Sequence, residues 1–304
     1  MKKLGTKDLS PYLREEYPFT SHYFFQEAVG GISYNQHYLD EGTGPAIILV
    51  HGNPTWSFYY RNLVLQLVSS GYRCIVPDHM GCGFSDKPED YPYTLERRIM
   101  DLERLIEHLG IDRYSFVLHD WGGAIGMGVA GRNPQKVVKM ALLNSAAFRS
   151  KRIPMLIDSL RMPKIGEILI RGLNAFAGMA THMAVEVPLS PVVKSGFLLP
   201  YQTWADRVAV WKFVKDIPMH PSHPSYPSLE LVERNLSFLK DKPIGLFWGE
   251  RDFCFNEHFF KKWLQFFPDA EQHLYLNAGH YVLEDAKREI IKDIHDFLSE
   301  GSAR

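Results

Sequence analysis

Residues 114–124 read Tyr-Ser-Phe-Val-Leu-His-Asp-Trp-Gly-Gly-Ala, and this stretch decides the fold. Its apolar first half is typical of a strand, and the pattern after the two glycines turns helical through residues 125–129. A sharp turn between a strand and a helix lifts the side chain at the turn clear of the sheet, where it can act as a nucleophile. That side chain is Asp120, so the sequence predicts a carboxylate nucleophile where serine or cysteine would be usual.

Composition excludes several classes of function. The chain has 304 residues, 45% of them hydrophobic and 23% charged, which is enough to bury a sizeable globular core. The formal net charge is -1 without long runs of one sign, so we expect no nucleic-acid or membrane surface driven by electrostatics. We identify no secretory signal and no apolar run long enough to span a membrane. The three cysteines lack the spacing of a zinc site or a disulfide framework and indicate a reducing, cytoplasmic compartment: Cys74, Cys82 and Cys254.

Alternating strand and helix patterns predict an α/β architecture. Short, wholly apolar runs are typical of strands buried on both faces, as in a parallel sheet. Residues 1 to about 30 have the pattern of an irregular arm, and residues 32–39 that of an edge hairpin. We predict a mostly parallel eight-stranded sheet with helices on both faces. The expected strands include 46–50, 72–77, 114–120, 137–143, 243–248 and 273–276, and the expected helices include 94–108, 255–267 and 286–298.

Residues 148–226 interrupt this alternation. They contain no clear strand but several helical stretches rich in methionine and aromatic side chains, and a series of prolines closes them. We therefore predict a core domain formed by residues 1–147 and 227–304, with residues 148–226 as a helical cap inserted after the sixth strand. Because a cap above an active site contributes part of the pocket lining, this composition favours an apolar substrate.

Two residues further along the chain complete a catalytic set with Asp120. Asp252 follows the predicted strand 243–248, and His280 lies in a Gly-His turn before the last helix. The order of nucleophile, acid and histidine is the one expected after such a turn. His280 would act as general base, and Asp252 would hold its imidazole in the correct tautomer. Glu250 is an alternative acid, whereas Asn144, at the end of the preceding strand, carries no charge.

A carboxylate nucleophile can attack a saturated carbon to form an ester of the enzyme, which water activated by the histidine can then cleave. A developing oxyanion would lie near the backbone N–H of Trp121 and an N–H from the loop at residues 51–53. The Asn53 carboxamide and the Trp121 indole are both donors, so we expect them to hold a departing anion. The alternative interpretation is turn chemistry for Asn53 and core packing for Trp121.

Three motifs give the chain a resemblance to haloalkane dehalogenases over nearly its whole length. They are His-Gly-Asn-Pro-Thr-Trp at 51–56, His-Asp-Trp-Gly-Gly at 119–123 and Gly-His-Tyr-Val-Leu-Glu-Asp at 279–285. The resemblance implies an α/β-hydrolase fold, an aspartate nucleophile, a histidine base and a halide held between asparagine and tryptophan. Epoxide hydrolases share His-Asp-Trp-Gly but need two tyrosines in the cap, for which Tyr201 is one candidate.

The chain resembles the β-lactone decarboxylases of bacterial long-chain olefin biosynthesis more closely. The stretches that carry this resemblance are residues 77–83, 144–150, 217–226 and 251–256. It implies conversion of a cis-3,4-dialkyl-β-lactone with long alkyl chains into a cis-alkene and CO2 by the same residues. It also implies assembly with a β-lactone synthetase and a reductase. We expect neither a metal nor an organic cofactor, because the chemistry needs only the side chains named above.

Two other classes stay open at this stage. Dehalogenation would use every catalytic residue named above, and a catalytically inactive hydrolase fold could serve as a binding module. The intact set of Asp120, Asp252 and His280 argues against the binding module. A serine esterase is disfavoured because no serine occupies the turn.

Overall fold

The computed structural model describes residues 5, 9–27 and 33–300. Eight strands in the described chain form one sheet in the order β1-β2-β4-β3-β5-β6-β7-β8. Strands β3 to β8 pair in parallel, whereas β2 runs antiparallel to both β1 and β4. The predicted fold class is therefore confirmed. The strands are β1 (His22–Glu27), β2 (Ser33–Glu41), β3 (Ala46–Val50), β4 (Arg73–Pro77), β5 (Tyr114–Asp120), β6 (Val137–Ser145), β7 (Ile244–Gly249) and β8 (Glu271–Tyr275).

Helices cover both faces of the sheet. Alternate residues of β3 show this, because Ile48 and Val50 belong to one buried apolar cluster while Ile47 and Leu49 belong to another. The first cluster includes side chains of α3 and α4, and the second includes side chains of α2 and α13. The helices are α1 (Pro11–Glu16), α2 (Arg61–Ser69), α3 (Leu95–His108), α4 (Trp121–Arg132), α5 (Met155–Leu160), α6 (Ile165–Glu167), α7 (Ala175–Met183), α8 (Pro191–Leu198), α9 (Val208–Lys215), α10 (Tyr226–Asn235), α11 (Glu257–Phe266), α12 (Val282–Asp285) and α13 (Lys287–Ser299). No described helix is long and apolar enough to cross a membrane.

The prediction of an irregular N-terminal arm followed by an edge hairpin is wrong in part. The arm contains α1 and β1, and the antiparallel pair at the sheet edge is formed by β1 with β2, not within residues 32–39. Residue 32, where the predicted hairpin begins, lies outside the described residues. The edge strand β1 escaped detection because its pattern includes a buried polar residue: Gln26 donates to Gln36 Oε1 and to the Asp101 carbonyl, both at 2.8 Å.

The segment between β6 and β7 is helical, and no strand occurs in residues 148–226, all of which the structure describes. It contains α5 to α9 and a π-helical turn at Ile168–Gly172. A separate apolar cluster lies within it and includes Tyr201, Val210 and Trp211. The segment thus has a small core of its own, while α10 contributes Leu229 and Val232 to the main cluster under the sheet.

Candidate active site

Asp120 occupies a strained turn at the end of β5. Its φ of 52° and ψ of -125° are unusual for a residue with a side chain. The turn fits only because its neighbours are glycines. A Cβ at Gly52 would overlap the Asp120 carboxylate, and one at Gly122 would overlap the Val50 carbonyl. Close approach of β3, the 51–53 loop and α4 therefore holds this carboxylate at the carboxyl end of the sheet.

Two backbone N–H groups donate to the Asp120 carboxylate. The Asn53 N–H donates to Oδ2 at 2.7 Å, and the Trp121 N–H is a second donor to the group. Burial raises the pKa of Asp120 to about 6, against the opposing effects of His280 and of these two N–H groups. The Asn53 and Trp121 backbone N–H groups therefore both donate to the Asp120 carboxylate.

His280 and Asp252 form a buried hydrogen-bonded pair. His280 Nδ1 lies 2.8 Å from Asp252 Oδ2, and both residues are almost fully buried. Burial lowers the pKa of His280, but the charge and hydrogen bond of Asp252 and the charge of Asp120 outweigh it, so the net shift is upward. The alternative acid, Glu250, is exposed and does not contact the imidazole. The structure therefore pairs His280 with Asp252.

Asn144 holds Asp252 from the neighbouring strand. Its Nδ2 donates to Asp252 Oδ2 at 2.9 Å and to the Gly249 carbonyl at 3.0 Å, and its Oδ1 accepts the Gly249 N–H at 2.8 Å. The other oxygen, Asp252 Oδ1, accepts the Cys254 N–H at 2.6 Å. An uncharged residue at the end of β6 thus acts as a clamp on the acid that follows β7, a role that the sequence alone did not indicate.

His119 supports His280 from behind. Its Nε2 lies 2.9 Å from the His280 carbonyl oxygen, and the two ring centres are 4.6 Å apart. His119 is fully buried. This residue therefore helps to fix the backbone of the turn that carries the imidazole.

The side chains of Asn53 and Trp121 both line the cavity above Asp120. One N–H of the Asn53 carboxamide donates to the Val210 carbonyl on α9 at 3.1 Å, which leaves the second N–H for a ligand. The Trp121 indole N–H has no acceptor among the described residues, and its ring packs edge-on against Phe213 with centres 5.3 Å apart. Helix α9 therefore holds both donors in place.

The cavity above Asp120 has a volume of about 190 Å³ and is lined mainly by apolar side chains. Polar groups of Asn53, Asp120, Trp121 and His280 meet at the strand ends, and Ser150 and Arg152 contribute polar atoms from the segment 148–226. The segment 148–226 supplies most of the remaining wall, including Phe148, Ile153, Leu156, Leu160, Phe176, Met179, Met183, Val214 and Met219. This arrangement suits an apolar molecule with one reactive polar centre.

The chain is similar to proteins of known family. A family profile described as alpha/beta hydrolase fold matches residues 45–185. A cis-3-alkyl-4-alkyloxetan-2-one decarboxylase of Shewanella oneidensis is 41% identical over 87% of this chain and 85% of the relative. The chain is a haloalkane dehalogenase-like α/β-hydrolase. The resemblance stated from the motifs is confirmed.

This α/β-hydrolase is also similar to a second decarboxylase and to a solved dehalogenase structure. A decarboxylase of the same name from Xanthomonas campestris pv. campestris is 39% identical over 86% of this chain and 91% of the relative. The crystal structure of haloalkane dehalogenase DatA from Agrobacterium tumefaciens C58 is 25% identical, with a TM-score of 0.80 over 92% of this chain and 96% of that chain. Membership of this family makes the chain an enzyme, and its relatives carry out two different reactions.

Sequence reasoning did not identify Arg98 as part of the site of this α/β-hydrolase. Its guanidinium carbon lies 3.6 Å from the Phe213 ring centre and 5.6 Å from that of Trp121. Nη1 pairs with Asp216 Oδ2 at 3.0 Å, while Nε and Nη2 have no hydrogen-bond partner among the described residues. A buried positive charge thus lies behind the indole that faces the cavity. The signal was present, because Arg98 shares the apolar face of α3 with Leu102, four residues later.

Proposed function

We propose that this enzyme converts cis-3-alkyl-4-alkyl-β-lactones into cis-alkenes and CO2, as a step of long-chain olefin biosynthesis. We assign Asp120 as the nucleophile and His280 and Asp252 as its catalytic partners. The observation that carries the proposal is the buried carboxylate of Asp120, which lies with His280 at the base of an apolar cavity. It is supported by two relatives named cis-3-alkyl-4-alkyloxetan-2-one decarboxylase.

The proposed reaction needs no water and no net proton. Asp120 Oδ1 attacks the saturated ring carbon that is bonded to the ring oxygen, and the bond between that carbon and the ring oxygen breaks. This opens the strained ring and leaves an alkyl ester of the enzyme with a free carboxylate. The bond from the carboxylate to the adjacent carbon then supplies the electrons of the alkene, CO2 departs, and the Asp120 carboxylate is released.

The second N–H of Asn53 and the indole N–H of Trp121 are assigned to the carboxylate that forms when the ring opens. Both are neutral donors, and Arg98 adds a positive charge behind Trp121. Donors that are already oriented stabilise a developing anion without reorganisation. These groups therefore favour the ring-opened state over the neutral lactone.

His280 is assigned an electrostatic role during decarboxylation. Asp252 and Asp120 both favour its protonated form. An imidazolium beside Asp120 stabilises the carboxylate that leaves when the alkene forms. In a hydrolytic reaction the same residue would have to be neutral to accept a proton from water.

We also propose that residues 148–226 form the cap and that residues 1–147 and 227–304 form the core. The helical content of the segment, its separate apolar cluster and its share of the cavity wall support this division. A β-lactone synthetase and a reductase are the proposed partners, in one assembly in the cytoplasm.

The test is a parallel assay of purified enzyme with a cis-dialkyl β-lactone and with a 1-bromoalkane of matched chain length. We expect alkene and CO2 from the lactone and little bromide from the haloalkane. Asp120→Asn should abolish alkene formation, and Asp241→Asn, at an exposed position, should not. Rapid bromide release with an untouched lactone would overturn the proposal.

Dehalogenation is the second candidate function. It is favoured by the neutral donor pair of Asn53 and Trp121, which suits a halide as well as a carboxylate, and by the likeness to a dehalogenase structure. Epoxide hydrolysis is disfavoured. The Tyr201 hydroxyl is fully buried and lies 3.4 Å from the Thr55 carbonyl, and residues 148–226 place no tyrosine on the described cavity wall.

A further inference from the structure

Exposed apolar side chains are concentrated in one part of the cap. Of eighteen large apolar residues exposed in the described chain, nine lie between residues 155 and 187. Contiguous exposed apolar surface is uncommon on a soluble protein and marks an interaction site. The elements α5, α6, the π-helical turn and α7 pack against one another in sequence. We call these nine residues the apolar rim: Met155, Leu156, Met162, Ile165, Ile168, Leu173, Met179, Met183 and Val187.

The apolar rim is continuous with the wall of the active-site cavity. Leu156, Met179 and Met183 line the cavity and are also 38–44% exposed. Phe253, which follows β7, completes this margin with 40% exposure. Met155, next to Leu156, is 86% exposed. The exposed margin of the cavity is therefore mainly apolar, with the exposed Arg152 also on the cavity wall.

The net charge of the cap, residues 148–226, has the opposite sign to that of the rest of the chain. Residues 148–226 contain ten Lys and Arg against five Asp and Glu, a net charge of +5. The remaining residues contain 24 Lys and Arg against 30 Asp and Glu, a net charge of -6. The whole-chain value of -1 hides this asymmetry, and the expectation of no electrostatically driven membrane surface was based on that value.

The basic groups of the cap are available beside the apolar rim. Lys151, Arg152 and Lys164 are exposed and have no acidic partner within the described chain. The two nearby acids are already paired: Asp158 binds Arg161 at 2.7 Å and Glu167 binds Arg171 at 2.9 Å. Arg152 also lines the cavity. Exposed apolar side chains bordered by unpaired basic groups are characteristic of helices that lie in a membrane interface.

We propose that the apolar rim docks on an anionic lipid bilayer, with Lys151, Arg152 and Lys164 on the phospholipid headgroups. The rim would enter the boundary between headgroups and acyl chains, so the cavity mouth would open into lipid. If the proposed function also holds, a substrate with long alkyl chains enters from the bilayer and the alkene returns to it. Docking itself requires neither step.

Two other occupants of the rim fit the structure less well. In a symmetric dimer through this face, two surfaces of net positive charge would oppose each other. A protein partner seated on the rim would cover the cavity mouth that Leu156, Met179 and Met183 border. A fluid bilayer satisfies both the charge and the apolar surface while leaving a path for an apolar molecule.

The experiment measures binding of the full chain to vesicles by co-sedimentation, in the absence of any substrate. Vesicles of phosphatidylcholine with phosphatidylglycerol are compared with vesicles of phosphatidylcholine alone, at low and high salt. We expect binding to the anionic vesicles at low salt, and at least about tenfold weaker binding without phosphatidylglycerol or at high salt.

Two double variants, each with a single-site control, separate the contributions of the apolar and the basic side chains to vesicle binding. The double variants Met155→Glu with Ile165→Glu and Lys151→Gln with Arg152→Gln should each weaken binding about tenfold or more. Their controls are Phe238→Glu and Lys240→Gln, exposed positions outside the cap, which should bind as the wild type does. Circular dichroism and turnover of a short-chain substrate by Met155→Glu with Ile165→Glu report that this variant folds.

Three results would overturn docking. The first is that the wild type does not bind anionic vesicles. The second is that the controls lose as much vesicle binding as the cap variants. The third is that light scattering shows a dimer that Met155→Glu with Ile165→Glu abolishes. Because no substrate is present, an enzyme that fails to decarboxylate lactones can still bind vesicles. An enzyme that does not bind vesicles can equally still decarboxylate a dispersed lactone.

Discussion

The strand ends of the proposed core and the proposed cap, residues 148–226, differ in the side chains that they present to the cavity. At the strand ends, the carboxylates of Asp120 and Asp252 and the imidazole of His280 are held by hydrogen bonds of 2.6–2.9 Å. In the cap, the cavity wall is made mainly of aliphatic, methionine and aromatic side chains. The difference supports the proposal that the core performs the chemistry while the cap selects and admits the substrate. Variants in the two regions should therefore change different kinetic constants.

The largest effect is expected at Asp120. Asp120→Asn keeps the size of the side chain but removes its nucleophilic charge, so kcat should fall at least about 10³-fold. Alkene release measured by gas chromatography checks this, with Asp241→Asn as the exposed control. A variant that keeps more than a tenth of the wild-type kcat would show that the core does not act through this carboxylate.

Trp121→Phe tests the indole N–H while the ring is largely retained. Loss of one preorganised donor to a developing anion should lower kcat/KM about 10²-fold. The matched control is Trp204→Phe, a half-exposed tryptophan of the cap outside the cavity wall. If the two variants behave alike, Trp121 is only a packing residue.

Asn144→Ala tests the clamp on Asp252. The acid keeps the Cys254 N–H but loses the donor at its histidine-bound oxygen, so we expect kcat to fall about tenfold with little change in KM. The control is Asn277→Ala, an exposed asparagine whose contact is with Arg251. An unchanged kcat in Asn144→Ala would mean that Asp252 is held sufficiently by its other contacts.

The pH profile tests whether burial tunes the nucleophile. Because burial raises the pKa of Asp120 to about 6, the reactive carboxylate is lost as pH falls through that value. Below about pH 6, kcat/KM should decrease about tenfold per pH unit. A profile that stays flat down to pH 5 would show that the carboxylate remains ionised there.

The smallest effect is expected in the cap. Met179→Ala removes part of the cavity wall, so KM for a long-chain lactone should rise about threefold while kcat changes less than twofold. Met162→Ala, exposed but outside the cavity wall, is the control. A large fall in kcat for Met179→Ala would break the division of labour between core and cap.

Most of the sheet was predictable because parallel strands buried on both faces are continuous apolar runs. Strands β3 and β5, in which every residue is buried, show this directly. Strand β1 was not predicted, since Gln26 is buried through hydrogen bonds to Gln36 and the Asp101 carbonyl, which no local pattern reveals. Long-range pairing decides such polar positions.

In the candidate site, too, residues that depend on long-range contacts could not be predicted from the sequence. Asp120, Asp252 and His280 could be predicted because each ends or follows a strand, and parallel strands end at one edge of the sheet. Asn144 and Arg98 act through contacts with residues more than 100 positions away, Asp252 and Asp216. Those contacts depend on the packing of β6 beside β7 and of α3 beside the residues that follow α9, which no short motif encodes.

The most direct test of the central claim is turnover of a cis-dialkyl β-lactone in water enriched in ¹⁸O, followed by mass analysis of the peptide that carries Asp120. Decarboxylation through an Asp120 ester releases the original carboxylate without water. We therefore predict alkene formation over many turnovers with no ¹⁸O in that peptide. Incorporation of ¹⁸O into Asp120 in step with product formation would show hydrolysis of the ester and would contradict the account.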